Sequence, residues 1–158
     1  MERLWAPWRI KYIKASKSKG CFFCQGAKSK DSHIVIKTKN SLSLLNIFPY
    51  NNGHMLIAPR RHVKMLEELK NEEIIDLINT LNKTKKLLDN LLKPQGYNIG
   101  LNLGKAAGAG VPAHLHIHLV PRWNGDTNFM PVLANTKVIS QSLEDLYKKL
   151  KNAQSNPD

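Results

Sequence analysis

Between Asn71 and Leu92 the apolar residues Ile74, Ile78, Leu81, Leu88 and Leu92 recur at the spacing of one helix face, and Leu77 and Leu91 widen the stripe. Asn71 is placed to cap the start. Glu72, Glu73 and Asp76 sit at the positive end of the helix dipole, Lys83, Lys85 and Lys86 lie toward the negative end, and Pro94 and Gly96 stop the helix. The other apolar runs are short. Ile34-Val35-Ile36 is β-branched. Ser41 to Ile47, the turn Pro49-Tyr50-Asn51-Asn52-Gly53 and the run His54 to Ala58, closed by Pro59, form an antiparallel hairpin pattern. Tyr97 to Leu103 alternates and reads as a strand, as does Leu115 to Val120, ended by Pro121. Gly104 to Gly110 is a small-residue loop. A short helix is expected near Ser142 to Lys151, with a polar tail that frays from Asn152. Strands grouped around a long helix, without βα alternation, predict an α+β fold. It would hold an antiparallel sheet of about five strands, the long helix and a shorter C-terminal one.

A chain of 158 residues points to one domain with an ordinary core. Its 24 Lys and Arg against 12 Asp and Glu give a net charge of +12, which favours anionic partners or serves solubility. The opening Met-Glu-Arg-Leu-Trp-Ala-Pro-Trp-Arg has no apolar signal core and no small-residue cleavage site. No stretch approaches the length of a membrane span. A cytoplasmic protein without membrane contact is expected. The two cysteines, Cys21 and Cys24, are too few and too close for a secreted disulfide framework.

Candidate chemistry concentrates in His114-Leu115-His116-Ile117-His118-Leu119-Val120, which holds three of the six histidines. On a strand the three imidazoles share one face, roughly 6.5–7 Å apart, and Leu115, Ile117 and Leu119 share the other. Three readings compete: a solvent-facing polar strand, a zinc site, and nucleophilic catalysis by a neutral imidazole. The loop before the triad is small enough to bring backbone N–H groups to phosphate, although it is not a P-loop. Cys21, Cys24, His62 and one outer triad histidine are also available as metal-site parts, which leaves the central histidine free.

The pattern His-φ-His-φ-His-φ-φ resembles the histidine-triad superfamily of nucleotide hydrolases and transferases. Leu45-Asn46-Ile47, Gly53 to Pro59, Asn102-Leu103-Gly104 and Pro121-Arg122 are similar to its landmarks. The resemblance covers about Cys21 to Arg122, leaving 1–20 and 123–158 as extensions of a single domain. Trp5-Ala6-Pro7-Trp8-Arg9 and Trp123 to Phe129 resemble the branch related to diadenosine tetraphosphate phosphorylases.

The resemblance implies a nucleophile at His116, forming a nucleotidyl-histidine intermediate. It gives His118 the phosphate oxygens and the carbonyl of His114 the orientation of the nucleophile. It places Asn46 at the ribose hydroxyls, and Leu44, Ile47 and Phe23 around an adenine-type base. Asn102 falls near the leaving phosphate, and Gly108, Gly110 and Val111 belong to the nucleotide-binding loop. His54 falls behind the triad. Gly110 departs from the polar Gln or Ser common four residues before the triad, which leaves open the leaving group and the final acceptor. The family is commonly homodimeric.

Cys21, Cys24, His62 and His114 make a Cys2His2 set that tetrahedral Zn²⁺ accepts, as the resemblance also implies. The other reading is two reduced buried cysteines; a thioredoxin-type redox pair lacks its βαβ context. Beside a dinucleoside polyphosphate enzyme, the sequence leaves open a nucleoside phosphoramidate hydrolase, a zinc hydrolase using all three histidines, and a non-catalytic nucleotide or RNA binder. No ribonucleoprotein aromatic motif or zinc-finger spacing occurs, so nucleic acid is not the expected partner.

Overall fold

The computed structural model describes residues 20–26, 33–107, 114–127 and 139–155. Its strands are β1 (Ile34–Lys37), β2 (Ser41–Leu45), β3 (Met55–Pro59), β4 (Gly96–Leu101) and β5 (Ile117–Arg122). Its helices are α1 (Phe22–Gly26), α2 (Asn71–Leu92) and α3 (Leu143–Ser155), with 3-10 turns at Leu66–Glu68 and Lys105–Ala107. The strands form one antiparallel sheet in the order β1-β2-β3-β5-β4. The α+β architecture expected from the pattern of apolar residues is the one observed.

Alternation along the strands separates two apolar layers. Leu45, Met55, Ile57, Ile117 and Leu119 pack under α2 and α3, against Leu77, Leu81, Leu88, Leu146 and Leu150. The opposite face carries Leu42, Leu44, Leu56 and Ala58, which pack against Phe23 of α1. Cross-strand register extends that second face in a row. Leu44 pairs with Leu56, Leu56 with His118, and His118 with Gly100. The histidines therefore stand on the sheet face away from the long helix. Gly53, with φ +73°, closes the β2–β3 turn; a Cβ there would lie 2.6 Å from Leu92 Cδ1 and in a backbone region that favours glycine.

The structure corrects several expectations. α2 has the expected bounds, but its inward face is Leu77, Leu81 and Leu88 with Glu73, Thr80 and Thr84, while Ile74 and Ile78 are exposed. Lys70 is the N-cap rather than Asn71, and its backbone N–H donates to the Glu73 carboxylate at 2.9 Å. β2 ends at Leu45, because Asn46 begins the turn, and β4 ends at Leu101.

β5 begins at Ile117, two residues later than expected, and runs through Pro121 to Arg122. At its start Pro59 has no N–H to extend the ladder, and the Leu115 N–H turns to the Val63 carbonyl at 2.7 Å. At its end β3 has already stopped, so Pro121 leaves no strand partner unsatisfied, and Asn51 Nδ2 donates to its carbonyl at 3.0 Å. α3 continues to Ser155, past the tail expected to fray. The Trp5–Arg9 segment, Gly108, Gly110, Val111 and the end of the Trp123–Phe129 landmark lie outside the described residues.

Candidate active site

Three histidines hold the centre of the site, and hydrogen bonds assign where each carries its proton. His116 is 6% exposed. Its Nδ1 lies 2.8 Å from the His114 carbonyl oxygen, an acceptor, so Nδ1 bears the hydrogen and Nε2 keeps its lone pair. Burial lowers the pKa of His116 below the ordinary value, against the opposing carbonyl hydrogen bond, which keeps the ring neutral near pH 7. A neutral imidazole with a free Nε2 lone pair has the electronic form a nucleophile needs.

The proton on His118 follows from a longer chain of donors. Asn46 Oδ1 accepts the Phe48 N–H at 2.9 Å, which points its Nδ2 at His54 Nδ1, 3.2 Å away. The Tyr50 backbone N–H donates to the same His54 Nδ1 at 3.0 Å. With Nδ1 accepting, His54 Nε2 carries the hydrogen and donates it to His118 Nδ1 at 2.9 Å. His118 is then left with its hydrogen on Nε2, which is buried and has no partner among the described residues. Burial first, then the neighbouring histidines, pushes His54 down to about 3; burial and His116 push His118 down to about 4. The site thus presents a lone pair on His116 and an N–H donor on His118, with ring centroids 4.9 Å apart.

On the same face, His114 has other partners. Its Nε2–H donates to the Pro59 carbonyl at 2.9 Å, and its Nδ1 lies 3.1 Å from Cys21 Sγ and 3.6 Å from Cys24 Sγ. Cys24 Sγ lies 3.3 Å from His62 Nδ1. The four ligand atoms all fall within 4.8 Å of one another. The Cys2His2 set expected from the sequence is therefore gathered at one point. A metal-binding histidine commonly donates its second nitrogen to a carbonyl, as His114 does to Pro59.

Of the remaining expected site residues, Phe23 is 1% exposed and packs against His114 and His116 at 4.9 and 5.0 Å, as a lid on the two rings. Leu44 is buried beneath Phe23. Ile47 is half-buried in the turn after β2. Asn102 lines a groove beside His118. Asn46 serves the turn and the His54 relay, with a lone pair of Oδ1 still available. Sequence reasoning missed Tyr50, whose ring stacks on His118 at 5.7 Å and 17°. Its signal was an aromatic residue in the turn four positions before His54.

The HIT domain family model matches residues 27–125. The AP-4-A phosphorylase of Mycobacterium tuberculosis is 36% identical over 161 residues, spanning 95% of this chain and 83% of that protein. The asymmetrical bis(5′-nucleosyl)-tetraphosphatase of Schizosaccharomyces pombe is 34% identical over 95 residues, spanning 60% of this chain and 52% of that protein. Among solved structures, a Zn-bound histidine triad family protein from Mycobacterium smegmatis matches with a TM-score of 0.69 and 28% identity, covering 86% of this chain and 94% of that one.

Proposed function

The chain belongs to the HIT family of nucleotide hydrolases and transferases, and on that footing we propose that it cleaves dinucleoside polyphosphates at the α-phosphate through a nucleotidyl-His116 intermediate. The observation that carries this reading is the 2.8 Å bond from His116 Nδ1 to the His114 carbonyl, which leaves the Nε2 lone pair for attack. Nε2 attacks the α-phosphorus and the P–O bond to the polyphosphate breaks. The His118 Nε2–H meets the charge that develops on the phosphate and leaving oxygens. Water or inorganic phosphate then attacks the same phosphorus, the N–P bond breaks, and its electron pair returns to Nε2. Dividing one displacement into two lowers each barrier. Asn46 Oδ1 keeps an acceptor lone pair for a ribose hydroxyl, and half-buried Ile47 offers the apolar contact for the first base, backed by the buried Leu44 and Phe23. Asn102, Gly108, Gly110 and Val111 complete the phosphate side in this reading.

The Cys21, Cys24, His62 and His114 cluster has the donor set and closeness for tetrahedral Zn²⁺. Four protein ligands close the shell, so the ion would be structural, tying α1 to the start of the triad. We assign a cytoplasmic location, where thiols stay reduced and free to bind metal. No helix among the described residues is long and apolar enough to cross a membrane.

A homodimer completes the reading. β4 is an edge strand, with Ile99 and Leu101 exposed at 51% and 37%. Tyr97 Oη donates to Asp89 Oδ1 at 2.7 Å, which pins the start of β4 to the last turns of α2. On α2, Ile74 and Ile78 are exposed as well. An apolar helix-and-edge surface of this kind is a usual site of self-association.

Incubation with diadenosine tetraphosphate, with and without inorganic phosphate, tests the reaction by its products. ADP plus ATP, formed only with phosphate, identifies phosphorolysis; AMP plus ATP without it identifies hydrolysis. Neither product would remove the dinucleotide assignment and turn attention to nucleoside phosphoramidates.

A further inference from the structure

We propose that the groove beside His118 is the subsite for the nucleoside of the leaving group, with the Tyr50 ring as the platform for its base. The inference rests on the reaction proposed above and adds the recognition of the departing half. On one side of His116 stands Phe23, 1% exposed and closed over by α1. On the other stands His118. A polyphosphate held at His116 therefore leaves past His118. There a groove of about 220 Å³ opens, lined among others by Tyr50, Asn98, Gly100, Asn102 and His118.

The wall of the groove at Tyr50 and Asn98 has the chemistry of a nucleobase site, while Asn102 stays with the phosphate chain. Tyr50 is 56% exposed, although its ring lies nearly parallel to His118 and its backbone N–H is tied to His54. One ring face is thus held in place by the catalytic relay. Alternation along β4 puts Asn98 and Gly100 on the face of His118, with Asn102 following in the same phase. Gly100 pairs directly with His118, and a Cβ there would meet nothing within 4 Å, so the floor between the carboxamides is open. Asn98 Oδ1 accepts from Arg122 Nη1 at 2.5 Å, which leaves the amide N–H groups of Asn98 to meet ring nitrogens or carbonyls. The Arg122 guanidinium beside the groove is engaged by Asn98 and Asp126. A planar base needs an aromatic face and amide donors.

The test compares two substrates that share the adenylyl group and the phosphate chain and differ by the second adenosine: diadenosine tetraphosphate and adenosine 5′-tetraphosphate. The wild-type protein is expected to favour the first in kcat/KM. Stacking on an aromatic ring is worth enough that Tyr50→Leu should reduce that preference about tenfold, while Tyr50→Trp retains it. A Tyr50→Leu variant that loses both activities in equal proportion, with the preference intact, would show that the ring supports His118 and reads no base. A wild-type protein without preference would overturn the subsite while leaving the reaction in place. Cleavage of neither substrate would instead overturn the reaction, and the subsite with it.

Discussion

Side-chain chemistry at this site is decided by where single protons sit. His116 and His118 are both neutral imidazoles with opposite tautomers, one offering a lone pair and the other a hydrogen. The second assignment depends on His54, which is fully buried and receives two N–H donors on Nδ1. His54→Asn keeps an acceptor near the Tyr50 N–H but cannot reach His118. Its kcat is expected to fall about 10–100-fold, with KM changed little. An unaltered kcat would show that His118 needs no partner. The same burial has a consequence for stability. His54 titrates at about 3 in the fold and His118 at about 4, below the ordinary 6.5. Above pH 6.5 neither state binds the proton. Below it the unfolded chain takes up protons that the folded chain refuses, so stability falls as pH drops from 6.5 toward 3. Urea midpoints at pH 7 and pH 4.5 measure this; a higher midpoint at pH 4.5 would contradict it, and His54→Asn should narrow the difference.

Secondary-structure elements are held by polar contacts that apolar periodicity does not reveal. Glu73 accepts the Lys70 backbone N–H at the start of α2 and pairs with Arg61 through both oxygens, at 2.8 and 2.7 Å. The Arg61 hydrogen bond first, then the Lys70 N–H, holds its carboxyl down to about 2. The resulting stability is present above the ordinary carboxyl range and lost as pH falls through about 2. Glu73→Ala should cost about 1 kcal/mol, the usual worth of a helix cap, with the half-exposed Arg61 adding little. An unchanged urea midpoint at pH 7 would show that the cap is idle.

The bounds of α2 were legible because Asn71 to Leu92 is long, periodic and stopped by Pro94. Its inward face was not. Thr84 Oγ1 turns back to the Thr80 carbonyl, and Thr38 joins Asp76 at 2.6 Å, so threonines pack inward where isoleucines were expected. The common face of the histidines was legible from alternation. The late start of β5 was not, because it depends on Pro59 and Val63, more than fifty residues away in sequence. Residue type and spacing offered Cys21, Cys24, His62 and one outer triad histidine, and the choice of His114 came with the family resemblance. Tyr50 was hidden, since a turn residue shows its partners only after the turn has folded onto β5.

At the scale of the whole molecule, two surfaces remain outside the site. The +12 charge favours anionic partners or serves solubility, and the first alternative predicts substrate capture that weakens with added salt. The exposed Ile74 and Ile78 of α2 and Ile99 and Leu101 of β4 carry the proposed dimer. Sedimentation is expected to give twice the 17.9 kDa chain mass, and a Leu101→Lys and Ile78→Lys double variant should sediment as a monomer. A wild-type monomer at micromolar concentration would remove that assignment. The Cys2His2 cluster belongs to this scale too, since it gathers residues of α1, of the segment after β3 and of the triad. Metal analysis should find one zinc per chain, and Cys24→Ser should lose it with a lower melting temperature. A metal-free wild-type protein of equal stability would favour two plain buried thiols.

The central claim is that His116 carries the nucleotidyl group between two displacements. It is tested most directly by quenching the protein into alkali during turnover of diadenosine tetraphosphate labelled at the α-phosphate, then locating the label by peptide mass. Label on His116, and none in a His116→Ala variant that has lost turnover, is the expected result. Turnover that proceeds with no label on the protein, and survives in the variant, would mean direct attack by water or phosphate and would contradict the account.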